Sequence, residues 1–376
     1  DQAESGGYQR RLFAEDAAQG FAFIDICRGR YDVALMNPPF GEWTKGYKVH
    51  AKSFFPNSYN DILGAFVERS LGCLNPLGLI GAITSRTCFF LSSFSDWRKN
   101  VILEQSAIGV VADLGEGVMD DAMVEAAAYV LEKVKPREST LFFRAIADRN
   151  RKYALEACIH SLQNEAVESR VFIKRQSDFR LLPDLPFVYW IRRELLLKFA
   201  GRRHFRAAVG DVRQGLATGD NPRFVRAIWE VSPLERVALK NKNWVPYILS
   251  GASQPWFSPV TLLVRWADDA SELWSNLNSK GQVRSNIWML RDAIQTHFFR
   301  PGFSWTLRAV RLIPYVVPKG CIPSASRYIA IPQSTSSAVA LGVCSSRLVS
   351  AYLRFYGEMF ARPKFLVGTV KTLPWP

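Results

Sequence analysis

The chain has 376 residues, of which 48% are hydrophobic and 22% charged. This length predicts two domains, and the composition excludes a wholly disordered protein. No apolar run reaches the roughly 18 residues that a membrane helix needs, so we expect no membrane partner.

The net charge of +14 is unevenly distributed along the chain. Residues 1–150 carry 16 basic and 19 acidic side chains, whereas residues 151–376 carry 32 basic and 15 acidic ones. A strongly basic half is typical of proteins that bind a polyanion, most often nucleic acid. A generally basic protein without such a partner is the alternative.

The six cysteines are scattered. They form no Cys-x-x-Cys pair, and no histidine lies near one at zinc spacing, so we expect no metal site. They are interpreted as buried thiols of a reducing cytoplasm. The six are Cys27, Cys73, Cys88, Cys158, Cys321 and Cys344.

Strands and helices alternate in the first 140 residues. The pattern predicts strands over 31–36, 79–84, 108–114 and 126–133 and helices over 61–75, with Asp61 as N-cap, and 95–103. A turn is expected over 75–78. This alternation predicts an α/β domain with a mostly parallel sheet, and an antiparallel hairpin near 108–133 is compatible with it.

The texture of the sequence changes at about residue 176, where tryptophan, proline and arginine become frequent. We therefore expect a first domain over 1–140, a bridge of strand and helix over 141–175, and a mixed α+β domain over 176–376. Residues 338–360 have a helical pattern.

The tetrapeptide Asn37-Pro38-Pro39-Phe40 follows a predicted strand, where open α/β sheets bind ligands. An exocyclic amine of a nucleobase is a poor nucleophile because its lone pair is delocalised. The Asn37 side-chain oxygen and the Pro38 carbonyl can accept its two hydrogens, and the prolines fix that carbonyl. A plain Pro-Pro turn is the structural alternative.

Phe40 offers a flat face on which a base swung out of the duplex can stack. In-line methyl transfer from a sulfonium donor suits this arrangement, since it needs positioning more than a strong base or a metal. The four residues Asn37, Pro38, Pro39 and Phe40 are therefore the predicted catalytic set.

Tyr31 to Phe40 resembles the catalytic motif of adenine-specific DNA methyltransferases. The segments 66–85, 94–99 and 111–115 are similar to those that follow this motif. In the basic half, 212–224, 317–320 and 365–374 resemble the recognition domain and closing motif of BREX (PglX-type) and type IIG restriction–modification enzymes.

The resemblance implies an AdoMet-dependent methyltransferase-type (Rossmann-like) sheet followed by a mixed α+β target-recognition domain. It also implies methyl transfer from S-adenosylmethionine to N6 of a flipped adenine in double-stranded DNA, in a phage-defence or restriction–modification system.

Two features depart from the family. No Gly-rich donor loop precedes Asn37, so we expect only the C-terminal half of the sheet, with the cofactor-binding residues upstream of Asp1 or in a partner chain. Val118 and Met119 stand where relatives often place a second aromatic residue, for which Phe89 or Phe90 can substitute.

Arginine reads guanine, and asparagine or glutamine reads adenine, in the major groove. A Gly-rich stretch lets the backbone approach phosphates. Weaker candidates for phosphate contact are Arg327, Arg362 and Lys364. The predicted DNA-binding residues are Arg213, Gln214, Thr218, Asn221, Arg223 and Lys319.

Two other functions stay open. One is a non-catalytic DNA-binding specificity subunit of a defence complex. The other is a methyltransferase acting on RNA or on a protein glutamine, whose planar amide the same motif can serve. No metal-binding nuclease cluster is evident, so we expect no nuclease in this chain.

Overall fold

A computed structural model describes residues 16, 18–39, 41–118, 124–233, 243–249, 254–355 and 364–375. The chain divides into two compact units, Asp1–Lys198 and Phe199–Pro376. Their boundary lies more than twenty residues beyond the expected one at 175/176.

The first unit, as far as it is described, is a six-stranded sheet with helices. Its strands are β1 Tyr31–Met36, β2 Leu74–Ser85, β3 Ala107–Gly115, β4 Ala126–Glu132, β5 Thr140–Arg144 and β6 Val171–Lys174. Its α-helices are α1 (residues 18–28), α2 Lys45–Phe54, α3 Ile62–Cys73, α4 Leu103–Gln105, α5 Arg151–Gln163 and α6 Arg193–Phe199, and a π-helix spans Trp97–Ile102.

The strands lie in the order β1-β2-β4-β3-β5-β6. The pairs β1–β2 and β3–β5 are parallel, and the other neighbours are antiparallel. The expectation of a mostly parallel sheet is therefore wrong, and the sheet is mixed. The hairpin near 108–133 that the sequence allowed is confirmed, because β4 runs between β2 and β3 in the opposite direction. The β5–β6 pair is also antiparallel.

The predicted strands and the helix after Asp61 are confirmed. The Asp61 side chain accepts the amide of Leu63 at 3.0 Å and caps α3, as its position in the sequence predicts. The predicted turn over 75–78 is instead absorbed into β2. Leu77 takes a φ of 67°, and the register against β1 shifts between Tyr31 and Val33.

The expected bridge over 141–175 is part of the first unit, because β5 and β6 extend its sheet. The residues after it also belong there. Phe179 and Phe187 are buried in the main core, and Tyr189 stacks on Phe142 with ring centroids 4.6 Å apart. These aromatic contacts explain why the boundary falls after Lys198.

The second unit has two four-stranded sheets among its described residues. One is ordered β13-β9-β10-β8 and the other β12-β11-β14-β7. The strands are β7 Val212–Arg213, β8 Val225–Ala227, β9 Trp244–Ile248, β10 Leu262–Arg265, β11 Gly302–Thr306, β12 Pro314–Val317, β13 Ile322–Pro323 and β14 Arg327–Ala330.

The helices of the second unit are short. Those described are α7 Phe205–Ala208, α8 Asn221–Phe224, α9 Ala267–Ser275, α10 Arg291–Thr296, α11 Ser337–Cys344, α12 Arg347–Leu353 and α13 Val367–Lys371. The helical pattern over 338–360 is thus broken before Arg347, where Ser346 caps a new helix, and residues 356–363 lie outside the described part. No helix of the described residues is long and apolar enough to cross a bilayer.

The expected burial is confirmed for four of the six thiols. Cys88, Cys158, Cys321 and Cys344 are buried. Cys73 is half-buried, and Cys27 is exposed, which contradicts the expectation. Cys27 lies in α1, whose described residues are almost all exposed.

Candidate functional site

Asn37, Pro38 and Pro39 follow β1 at the carboxyl end of the strand, where the motif predicts them. Asn37 and Pro39 are exposed, and Pro38 is buried. Within the described part of the chain, no hydrogen bond engages the Asn37 side chain, so its oxygen is free to accept from a ligand. Phe40 lies outside the described residues.

The end of this motif is fastened to the start of α3. The Gly41 amide donates to Asp61 Oδ1 at 3.1 Å, and the Ile62 amide donates back to the Gly41 carbonyl at 3.1 Å. Burial raises the pKa of Asp61 above its ordinary value, although the two amide donors oppose this shift. Asp61 therefore serves both as helix cap and as anchor of the segment that carries the predicted catalytic residues.

Beside Asn37 lies an apolar groove of about 680 Å³. It is formed by one face of the sheet and by Leu155 and Ile159 of α5, and none of the described residues that line it is acidic or basic. Leu35, which also lines it, is 82% exposed. Because β1 is the edge strand of the described sheet, apolar surface and open backbone groups lie together next to Asn37.

A buried ion network lies at the same end of the strands as Asn37. Arg86 directly follows β2 and is 2% exposed. Its Nε lies 2.5 Å from Asp113 Oδ1, its Nη2 lies 2.8 Å from Asp113 Oδ2, and its Nη1 lies 2.8 Å from Glu125 Oε2. Asp113 is on β3 and Glu125 precedes β4, so one guanidinium ties the ends of three strands together.

Tyr189 completes this network by donating its hydroxyl to Asp113 Oδ2 at 2.6 Å. Burial and the neighbouring Asp113 charge raise the pKa of Tyr189 far above its ordinary value, so the phenol remains protonated and remains a donor. No local sequence pattern indicates this network, because its members are 12 to 103 positions apart.

The expected aromatic substitutes are core residues. Phe89 is stacked on Phe187 with centroids 5.3 Å apart, and Phe90 lies under the Arg86 guanidinium at 4.6 Å. Both are less than 7% exposed, so neither offers a face to a base. Val118 is half-buried against the core around Leu114, and Met119 lies outside the described residues.

The predicted DNA-binding residues have different surroundings. Arg213 is already engaged, because its guanidinium lies 2.9 Å from Asp211 and 2.5 Å from Asp292. Thr218 is 1% exposed and donates to Asn221 Oδ1 at 2.6 Å, so it orients Asn221 rather than facing solvent. The exposed members of the set are Gln214, Asn221, Arg223 and Lys319.

The weaker candidates for phosphate contact also differ in their burial and their partners. Arg327 is 2% exposed and packs over Tyr315 at 5.5 Å, so its expected phosphate contact is wrong. Lys364 is half-buried, and its backbone pairs with that of Arg308 in an isolated antiparallel β-bridge. Arg362 lies outside the described residues.

The glycines of the 212–224 stretch have a structural reason different from the expected one. A Cβ at Gly215 would collide with the carbonyl oxygens of Pro323 and Ser324. Gly219 has a φ of 75°, and a Cβ there would lie 2.8 Å from the Arg284 backbone. These glycines admit the chain's own backbone at close range, and the interpretation that they let the loop approach phosphates stays a prediction.

The same stretch forms one wall of a cleft of about 610 Å³ in the second unit. Arg284 and Ser326 also line it, although they lie over 60 positions further along the chain. Sequence reasoning missed both, since a single exposed arginine and a single serine carry no local pattern. The lining residues are Leu216 to Pro222, Tyr247, Leu249, Arg284 and Ser324 to Ser326.

The closing segment returns to the beginning of the second unit. The Phe205 amide donates to the Leu373 carbonyl at 2.7 Å, and the Trp375 amide donates to the Arg203 carbonyl at 2.8 Å. Lys371 Nζ lies 3.0 Å from Asp211 Oδ1. The segment over 365–374 is therefore a structural closure of this unit.

The site geometry agrees with the comparison of the sequence with known families. Residues 4–118 match the Eco57I restriction-modification methylase family. This match includes the tetrapeptide, Asp61, Arg86 and Asp113, and it confirms the resemblance to restriction–modification methyltransferases.

Two curated relatives extend beyond that segment. The chain is 25% identical over 292 residues to the adenine-specific methyltransferase PglX of Lacticaseibacillus casei (strain Zhang). It is 26% identical over 316 residues to the adenine-specific methyltransferase BrxX of Escherichia coli O9:H4 (strain HS). These alignments cover 74% and 78% of this chain but 24% of each relative, so the chain spans about a quarter of their length.

Among solved structures, the fold resembles that of the type IIL restriction-modification enzyme MmeI, solved in complex with DNA. The TM-score is 0.56 at 13% identity, and the match covers 91% of this chain and 45% of the MmeI chain. At this identity the likeness concerns the fold, and it extends over both units.

Proposed function

We propose that this chain is the catalytic and target-recognition part of an adenine-specific DNA methyltransferase, which methylates N6 of a flipped adenine. The observation that carries the proposal is Asn37, which lies at the carboxyl end of β1 with a free side chain and is followed by two prolines. The family match over residues 4–118 supports it.

The chemistry follows from the acceptors that these residues offer. The Asn37 oxygen and the Pro38 carbonyl take the two hydrogens of the exocyclic amine, which draws its lone pair out of the ring. Proline at 39 adds no backbone N–H that would compete for that carbonyl. Asp61 supports this geometry by holding Gly41, directly after the motif. Phe40 is proposed as the stacking face for the base.

The resemblance assigns S-adenosylmethionine as the methyl donor. The described residues do not fit it, because the groove beside Asn37 contains no acidic side chain for the ribose hydroxyls. We therefore derive only the acceptor half of the reaction from this chain. The open edge of β1, with Leu35 exposed beside it, is the surface on which a donor-binding segment would pair.

Double-stranded DNA is the proposed partner of the second unit. Residues 199–376 carry 23 basic and 9 acidic side chains, whereas residues 1–198 carry 25 of each. The entire net charge of the chain thus belongs to the second unit, and such an excess attracts a phosphate backbone. Gln214, Asn221, Arg223 and Lys319 are its proposed contacts.

A role in a phage-defence or restriction–modification system is proposed from the PglX and BrxX relatives, with other subunits of such a system as further partners. The proposed chemistry at Asn37 is the same whether the chain acts in a phage-defence or a restriction–modification system, and neither role specifies the target sequence.

The test is methyl-group transfer by the complete protein from labelled donor to duplex DNA. Asn37→Ala should abolish transfer while duplex binding is retained, and Asn37→Asp, which keeps a side-chain acceptor, should retain part of the activity. Asn75→Ala is the matched control, because Asn75 lies at the opposite end of the sheet and binds Asp32 at 2.9 Å. Normal turnover by Asn37→Ala would refute the proposal.

The same assay separates the alternatives. A non-catalytic specificity subunit would bind duplex DNA without transferring label in any variant. A methyltransferase for RNA or for a protein glutamine would label those substrates instead, and the charge of the second unit makes duplex DNA the favoured acceptor.

A further inference from the structure

The cleft of the second unit has a rigid rim built from distant parts of the chain. Asn286 receives the Ala217 amide on Oδ1 at 2.7 Å and donates Nδ2 to the Gly215 carbonyl at 3.1 Å. The Tyr247 hydroxyl donates to the Leu216 carbonyl at 2.7 Å. These bonds fix the 215–221 segment before any ligand arrives, so the side chains that it presents are preorganised.

Hydrogen-bond donors converge on this cleft. Because Asn221 Oδ1 accepts the Thr218 hydroxyl, the Asn221 amide nitrogen is left to donate. Arg284 is exposed, and no side-chain partner engages it among the described residues. Ser326 shares a bond of 2.9 Å with Ser324 at the cleft wall. A guanidinium, an amide and a hydroxyl together suit a ligand that only accepts hydrogen bonds.

One acidic side chain also lines the cleft. Asp220 accepts the Arg223 amide through Oδ1 at 3.3 Å and caps α8. Its charge opposes an anion, which makes its removal a useful probe of what the cleft binds.

The shape of the site distinguishes two acceptor ligands. Base edges lie deep in the major groove and are reached by a helix or ribbon that projects into it. Phosphates line the groove margins and project outward, so a recess can receive them. The Arg284 cleft is a shallow recess that opens widely to solvent, so it can receive an outward-facing phosphate but does not project into a groove.

We propose that Arg284, with Asn221 and Ser326, binds a backbone phosphate of the DNA duplex and so sets the position of the second unit on DNA. This inference rests on the proposed DNA-binding function and adds the contact that anchors it. Arg284 is then a positioning contact that carries no sequence preference.

The experiment measures duplex binding by the complete protein as a function of salt. The logarithm of the association constant falls with the logarithm of the salt concentration, and each phosphate contact makes this slope steeper by about 0.9. Arg284→Ala should therefore make the slope shallower by about one and weaken binding about eightfold near 0.1 M salt. The loss should be equal for target and non-target duplexes. Arg347→Ala, an exposed arginine outside the cleft lining, is the matched control and should leave the slope unchanged.

A second variant changes binding in the opposite direction. Asp220→Asn keeps a good N-cap but removes the negative charge, so it should tighten duplex binding at low salt. A loss confined to one base pair of the target, or an unchanged slope in Arg284→Ala, overturns the inference and leaves the proposed function intact. Wild-type protein that binds no duplex overturns both.

Discussion

The Gly41 amide lies 3.1 Å from Oδ1 of Asp61, the residue that also caps α3 at Leu63. One carboxylate thus joins the segment after the proposed catalytic motif to the helix that packs on the sheet. The helix cap and the motif are coupled, although about twenty residues separate them in the sequence.

This coupling predicts different outcomes for two substitutions of Asp61. Asp61→Ala removes the carboxylate oxygen that accepts from both the Gly41 and the Leu63 amide. It should lower the free energy of unfolding by about 1–2 kcal/mol, with a further loss of methyl transfer. Asp61→Asn keeps an acceptor oxygen and should retain most of both. Denaturant unfolding and label transfer measure the two effects, and equal behaviour of the two variants would contradict the anchoring role.

The Arg86 network should be costly to break from one side. Arg86→Met leaves the buried Asp113 and the half-buried Glu125 without their cation, which should cost about 3–5 kcal/mol. Combining Arg86→Met with Asp113→Asn and Glu125→Gln removes those charges and should recover part of the loss. A mutant cycle checks this by chemical denaturation of the parent chain, Arg86→Met, the double variant Asp113→Asn with Glu125→Gln, and the triple variant. Additive losses would argue against a coupled network.

Alanine substitution at two glycines of the second unit should change the stability in opposite directions. Gly215→Ala forces a Cβ against the carbonyls of Pro323 and Ser324 and should destabilise the unit by at least about 1–3 kcal/mol. Gly342→Ala lies on the exposed side of α11 with nothing within 4 Å, so it should stabilise by about 0.5–1 kcal/mol. Thermal unfolding of both variants measures the contrast. A neutral Gly215→Ala would mean that the close backbone approach is not required.

The ion pairs of Asp211 predict a dependence on acid. Although burial opposes the shift, Lys371 and the Val212 amide hold the pKa of Asp211 below its ordinary value of 3.8. Because the folded-state pKa is lowered, this carboxylate stabilises the fold above about pH 4, and that contribution is lost as the pH falls through the lowered pKa.

Asp211→Asn should therefore show a flatter decline of stability below pH 4 than the parent chain, together with a lower stability at pH 7. Thermal midpoints collected from pH 2 to pH 7 provide the measurement. A parallel decline in the two proteins would show that Asp211 does not contribute to acid unfolding. Lys371→Met removes one partner but leaves Arg213 at 2.9 Å from Asp211, so it should flatten the decline less than Asp211→Asn does.

The sequence by itself determined the elements whose causes are local. The apolar run before Asn37 specifies β1, and Asp61 specifies the start of α3. The rare tetrapeptide predicts that Asn37 lies at a strand end and is the basis of the proposed chemistry. The excess of basic residues in the second half is counted directly from the sequence. Each of these signals depends on neighbours within a few positions.

Tertiary structure decided what depends on distant partners. The insertion of β4 between β2 and β3 makes the sheet mixed, and the packing of Phe179, Phe187 and Tyr189 moves the unit boundary to Lys198. Arg213 is engaged by acidic residues, whereas no side chain among the described residues engages Arg284, which lines the cleft. The sequence shows an arginine at both positions but not its neighbours. Only the charges and backbone groups that folding brings beside each arginine determine whether its guanidinium is available to a ligand.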